Sequence, residues 1–187
     1  KVAILDYFKD YTTAQSKGEL PAKITKYGTV NTTDSRHGTA VAEIIYDMAP
    51  GVNMTIASPG SATQMANYIT GLAQAGNKVI SSSIAFYLDE PGDGTGSVSS
   101  AINTATNTYD ALYCQAAGNQ AQYHWDGNFY DYDGDGLHDW APGVNFNQLG
   151  LLPAGTTISL FLRWNDWPVS NQDYDLYLLY WDGVDWQ

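Results

Sequence analysis

Asn53-Met54-Thr55-Ile56-Ala57, then Ser61 through Ala75 closed by Gly76, then Val79-Ile80-Ser81-Ser82-Ser83-Ile84-Ala85-Phe86: these three runs decide the fold. The first and third have the length and apolar character of strands. The second has the length of a helix, and Gly76 marks its end, because glycine adopts the left-handed conformation that stops a helix. Two strands joined by a helix of this size need a crossover connection, which favours a parallel sheet covered by helices on both faces.

The same alternation extends outward. Val2 to Leu5 is a short apolar run ending in Asp6, and Ile24 to Val30 is a more exposed strand candidate. After His37-Gly38-Thr39, helical spacing sets in at Val41, Ile44, Ile45 and Met48. A loop with Gly92, Gly94 and Gly96 leads to a helix over Val98 to Tyr109 and a strand over Leu112 to Ala117. The fold class is α/β, a parallel sheet flanked by helices, with residues 1–119 as one domain. Beyond Asn119 the chain turns rich in Asp, Gly, Trp and Tyr. Two alternating runs, Thr157 to Trp164 and Asp173 to Trp181, suggest that residues 120–187 form an antiparallel β module. Its Tyr and Trp read as core or rim rather than as a carbohydrate-binding surface. Trp181 to Gln187 reads as a strand, a turn and the start of another strand, as in a module cut short.

Composition removes several classes of function. Eight Lys plus Arg against twenty Asp plus Glu give a formal charge of −12, which repels a phosphate backbone, so nucleic acid is not an expected partner. No run of 18 or more apolar residues occurs, so no membrane span is expected. The acidic, Tyr- and Trp-rich composition, with few lysines, suits an exported protein. Cys114 is the one cysteine; without an internal partner, it reads as a buried thiol in its strand.

Three places carry chemistry. Asp6 ends an apolar strand, and in an open parallel sheet the carboxyl ends of the strands line the functional crevice. An aspartate there also caps turns, so alone it is weak. His37 opens a helix with Gly38 and Thr39 behind it; a histidine at a helix start is ordinarily a surface residue, but this context favours a general base. Ala116-Ala117-Gly118-Asn119 closes the last strand with small residues, and the Asn119 amide is able to donate to a developing oxyanion, although Gly-Asn is also a common turn.

Taken together, Val2-Ala3-Ile4-Leu5-Asp6, His37-Gly38-Thr39-Ala40-Val41-Ala42 and Ala116-Ala117-Gly118-Asn119 resemble, in order and spacing, the catalytic segments of the subtilisin-like serine peptidases. The resemblance covers residues 1–119. It implies that Asp6 orients His37, that His37 takes the proton of a serine hydroxyl, and that Asn119 holds the tetrahedral oxyanion. It also implies that Ser83, Ile84 and Ala85, with Gly118, form the edge along which an extended peptide pairs. The expected function is secreted, cofactor-free endopeptidase action by a monomer on a protein or peptide substrate. Two departures stand out. Asp6 is followed by Tyr7-Phe8 rather than by a small residue and glycine, so the loop there is built differently. No Gly-Thr-Ser followed by small residues and Pro occurs after Asn119, so the chain lacks the nucleophile and is expected to be inactive alone, with the serine lying beyond Gln187. The alternative is a non-catalytic pseudopeptidase that binds calcium, carbohydrate or a protein partner.

The segment Asp131-Tyr132-Asp133-Gly134-Asp135-Gly136-Leu137-His138-Asp139 sets carboxylates at alternate positions with a glycine for the sharp turn, a pattern suited to Ca²⁺. Asp131, Asp133, Asp135 and Asp139 are the candidate ligands. Pro142 stands at the twelfth position, where an EF-hand needs a glutamate, so an EF-hand is not expected. The competing reading is a solvated Asp-Gly turn.

Overall fold

The computed structural model describes residues 1–181, 183, 184 and 187; Asp182, Asp185 and Trp186 lie outside the described residues, and with them part of the predicted final turn. Among the described residues, five strands form one parallel sheet: β1 (Val2–Leu5), β2 (Thr25–Lys26), β3 (Met54–Ala57), β4 (Val79–Ser82) and β5 (Leu112–Gln115), in the order β2-β3-β1-β4-β5. Four helices connect them: α1 (Tyr11–Lys17), α2 (His37–Met48), α3 (Ala62–Gln74) and α4 (Ser97–Tyr109). The α/β architecture is as the sequence predicts. Among the described residues no helix is long and apolar enough to cross a membrane.

Alternation along β1 divides the core. Ala3 and Leu5 face a cluster with Met65, Ile69, Leu72 and Ile80, while Ile4 faces another with Phe8, Tyr11, Ala42 and Ile56. Successive side chains of a strand point to opposite faces, so a central strand buried on both sides is predominantly apolar: β1 is apolar throughout, and β3 departs from this only at Thr55. Helices α1 and α2 pack with one another, as do α3 and α4. Helix α3 shows why it forms where it does: Ser61 at its N-cap accepts from the Gln64 N–H at 3.2 Å, and Met65, Ile69 and Leu72 bury one stripe. Burying those three side chains is worth on the order of 2 kcal/mol each before entropy is charged against it.

Several local expectations change. Helix α1 is absent from the sequence reading; it is only seven residues long, and Gly18 at φ 81° ends it. Helix α2 buries Gly38, Thr39 and Ala42; of the predicted stripe, Val41 and Ile45 pack partly buried against the core, whereas Ile44 and Met48 are exposed. The small residues face inward because the start of α2 lies hard against the end of β1. The strand predicted to run to Phe86 leaves the sheet after Ser82, and the one predicted for Ile24 to Val30 keeps only Thr25 and Lys26. Cys114 is exposed, not buried, since β5 is an edge strand with three of its four residues open to solvent.

The chain divides into two compact units, 1–117 with 161–187, and 118–160. Each is described by itself. No ladder forms in Thr157 to Trp164 or Asp173 to Trp181 among the described residues; an isolated bridge pairs Ala141 with Val144, and Tyr180 and Gln187 exchange backbone hydrogen bonds at 3.1 and 3.0 Å. Alternation creates a face to bury but supplies no partner strand, and Tyr177, Leu178 and Tyr180 are exposed.

Candidate active site

The carboxyl end of β1 and the first turn of α2 meet at one point. Asp6 is nearly fully buried, with its side chain 4% exposed against 60% for the His37 side chain it touches. His37 Nδ1 and Asp6 Oδ2 are 2.7 Å apart. An ionised carboxylate only accepts, so Nδ1 carries the shared proton and Nε2 becomes the acceptor. Among the described residues no hydrogen bond reaches Nε2. The other carboxylate oxygen, Oδ1, accepts from the Tyr7 N–H at 2.7 Å.

Gly38 makes this approach possible. A Cβ at that position would lie 2.6 Å from Asp6 Cβ and 2.6 Å from the Tyr7 carbonyl oxygen, closer than real Cβ atoms come to either. The same carbonyl accepts from the Gly38 N–H at 2.9 Å. Further bonds lace residues 7–9 to 31–39: Phe8 N–H donates to the Asn31 carbonyl at 2.7 Å, Lys9 N–H to that of Ser35 at 2.8 Å, and Thr39 Oγ1 to that of Lys9 at 2.8 Å. His37 N–H donates to Ser35 Oγ at 3.1 Å. Phe8, in the loop between β1 and α1, is fully buried and anchors that loop in the core.

Ser58, which sequence reasoning passed over, stands behind the aspartate. Its hydroxyl donates to the Asp6 carbonyl and accepts from the Asn31 N–H at 2.9 Å. Buried and placed directly after β3, it ties two strand ends and the loop together. The signal available was its position: a polar residue at the carboxyl end of a strand beside the one that bears Asp6.

No protein-family model and no curated protein matches the chain. The assignment of chemistry therefore rests on the residues themselves.

Of the predicted peptide edge, Ser83 N–H donates to the Leu5 carbonyl at 3.4 Å, which sets the segment leaving β4 beside the strand that ends in Asp6. Ile84 is buried between exposed Ser83 and Ala85, and its carbonyl accepts from Gln115 Nε2 at 3.2 Å. Gly118 and Asn119 open the other unit. Gly118 has φ 86°, a conformation that favours glycine, and the exposed Asn119 donates its N–H to Gln120 Oε1 at 2.9 Å.

In the 118–160 unit, Asp131, Asp133 and Asp139 each bring a carboxylate oxygen within 4.8 Å of the others. Asp135 is not among these three. Its Oδ1 accepts from the Leu137 N–H at 2.8 Å and its Oδ2 from Asn145 Nδ2.

Proposed function

We propose that this chain carries the acid and the base of a subtilisin-like serine endopeptidase, with the nucleophilic serine supplied by a segment outside these 187 residues. The observation that carries the reading is the Asp6–His37 contact of 2.7 Å between a buried carboxylate and an exposed imidazole. A triad needs that asymmetry: the acid must be fixed and shielded from water, and the far nitrogen of the base must remain open to a reacting group.

In this mechanism Asp6 holds His37 in the tautomer with the proton on Nδ1. Nε2 takes the serine proton as the hydroxyl attacks the peptide carbonyl, and later returns it to the leaving amine. Asp6 stabilises the imidazolium that forms between these steps and stays ionised. Asn119 is the proposed donor to the tetrahedral oxyanion, and Ser83 to Ala85 the edge along which an extended peptide binds. A β module over residues 120–187, secretion, and a protein or peptide as substrate belong to the same proposal.

One sequence fact favours a second reading, the non-catalytic pseudopeptidase: no Gly-Thr-Ser with a following Pro occurs after Asn119. A fluorophosphonate probe separates the two. The 187-residue chain alone should neither take the label nor cleave casein, whereas the full product of the encoding gene should take it on a serine. In that product Asp6→Asn should lower kcat by about four orders of magnitude, the loss known for the aspartate of this triad chemistry. A full gene product that never reacts sinks the peptidase reading and leaves the binding module. Labelling of the isolated chain sinks the claim that its nucleophile comes from elsewhere.

A further inference from the structure

The loop from Tyr130 to Trp140 holds a carboxylate that is buried without being satisfied. Asp139 is 2% exposed, and its Oδ1 has no hydrogen-bond partner. Its Oδ2 accepts from the Tyr132 N–H, and its own N–H donates to the Tyr130 carbonyl at 2.7 Å. The backbone thus pins the side chain where it is. An unpaired buried carboxylate oxygen is costly, and a cation is the partner that would remove the cost.

We propose that Asp131, Asp133 and Asp139 form a Ca²⁺ site that stabilises the 118–160 unit, independent of the peptidase reading. The three carboxylates lie within 4.8 Å of one another. Ca²⁺ binds oxygen at 2.3–2.6 Å, so two ligands on opposite sides of the ion stand about 4.6–5.2 Å apart, and closer pairs fall inside that span. Asp131 is preorganised for the role. Its Oδ1 accepts from the N–H groups of Gly134 and Asp135 at 2.7 and 3.1 Å, and its Oδ2 from that of Gly136 at 3.0 Å. Each carboxylate oxygen has two acceptor positions, so Oδ2 retains one for the ion. Asp133 accepts from the Asp135 N–H at 3.3 Å through Oδ1, which leaves Oδ2 open.

The choice of Ca²⁺ over Mg²⁺ follows from the setting. Three carboxylates on a short glycine-containing loop suit the variable coordination of the larger ion, with water and backbone oxygens completing the shell. Mg²⁺ requires near-ideal octahedral geometry and keeps its water. Behind the loop, His138 packs against Trp125 and Trp140 with ring centroids 4.9 and 5.0 Å away, so binding is read through nearby tryptophan.

The test is terbium luminescence, excited through tryptophan, on the purified 187-residue chain with Ca²⁺ and Mg²⁺ as competitors. Saturable luminescence is expected, displaced by Ca²⁺ with a dissociation constant of about 1 mM or tighter and not by Mg²⁺ at the same concentration. Asp133→Asn, at an exposed position, should weaken binding roughly tenfold, and Asp139→Asn at least as much. Asp135→Asn should change it by less than about threefold, since that carboxylate is not a ligand. Three outcomes overturn the proposal: no saturable binding at about 10 mM Ca²⁺, unchanged binding in both Asp133→Asn and Asp139→Asn, or a loss in Asp135→Asn equal to that in Asp133→Asn, which would reduce the effect to general negative charge.

Discussion

Residues 1–117 and residues 118–181 are ordered by different means. In the first stretch Ile4, Leu5, Ile56, Ile69, Leu72 and Ile80 are all essentially inaccessible to water, and every strand is hydrogen-bonded to a neighbour. In the second, Leu151, Val169, Tyr177 and Tyr180 stand in solvent, and the backbone is held by carboxylates instead. Asp131 gathers the N–H groups of Gly134, Asp135 and Gly136, and Asp166 Oδ2 those of Asn171 and Gln172. Order by burial is spread over many contacts and tolerates small changes in solvent. Order by a few charged acceptors depends on what else those charges bind, so the two stretches should answer differently to the same kind of mutation.

The largest expected effect lies in the first stretch. Leu72 is 0% exposed in the cluster between the sheet and helices α3 and α4, so Leu72→Ala removes buried methyl groups and leaves a cavity among side chains that cannot close it. The cost should be about 3 kcal/mol, read as a lower urea midpoint at unchanged slope. A loss under about 1 kcal/mol would mean that this core is no better packed than the rest of the chain.

Gly38→Ala comes next and probes the site rather than the core. Its new Cβ meets backbone and Cβ atoms of Asp6 and Tyr7, which have no rotamer to escape into. Overpacking of this kind should cost about 2 kcal/mol. The displacement should also part His37 from Asp6, so that the downfield proton resonance of the hydrogen-bonded Nδ1 disappears. Retention of that resonance with wild-type stability would show that the approach of α2 to β1 is looser than the distances indicate.

These positions also show how far sequence reading reached. β1 was legible to the residue, because an uninterrupted apolar run ending in an acid has few readings, and α3 was bounded correctly by Ser61 and Gly76. Asp6 and His37 were legible as a pair because Gly38 and Thr39 accompany the histidine; the structure explains Gly38 by close approach and Thr39 by its bond to Lys9. Ser58 offered only its place at the carboxyl end of a strand, and that became a role only once β1, β3 and the 31–39 loop converged. Alternation groups Asp135 with its acidic neighbours, whereas its carboxylate bonds Leu137 and Asn145, a distinction that spacing alone does not carry. Cys114 was misplaced for a topological reason, because its strand falls at the sheet's edge and strand order cannot be read from apolar runs.

The smallest expected effect is the sharpest test of the comparison. Leu178 belongs to an alternating run, Asp173 to Trp181, whose period of two is as regular as any in the chain, yet it is 57% exposed. If burial rather than pattern decides stability, Leu178→Ala should change the unfolding free energy of the 187-residue chain by less than about 0.5 kcal/mol. Leu72→Ala and Leu178→Ala delete the same atoms, so the difference between them isolates the environment. Equal losses would mean that the alternating run packs against a partner in solution, as in a formed β module, and the distinction between the two stretches would then fail. A small loss in the same chain, turned large when the full gene product is used, would locate that partner outside these 187 residues.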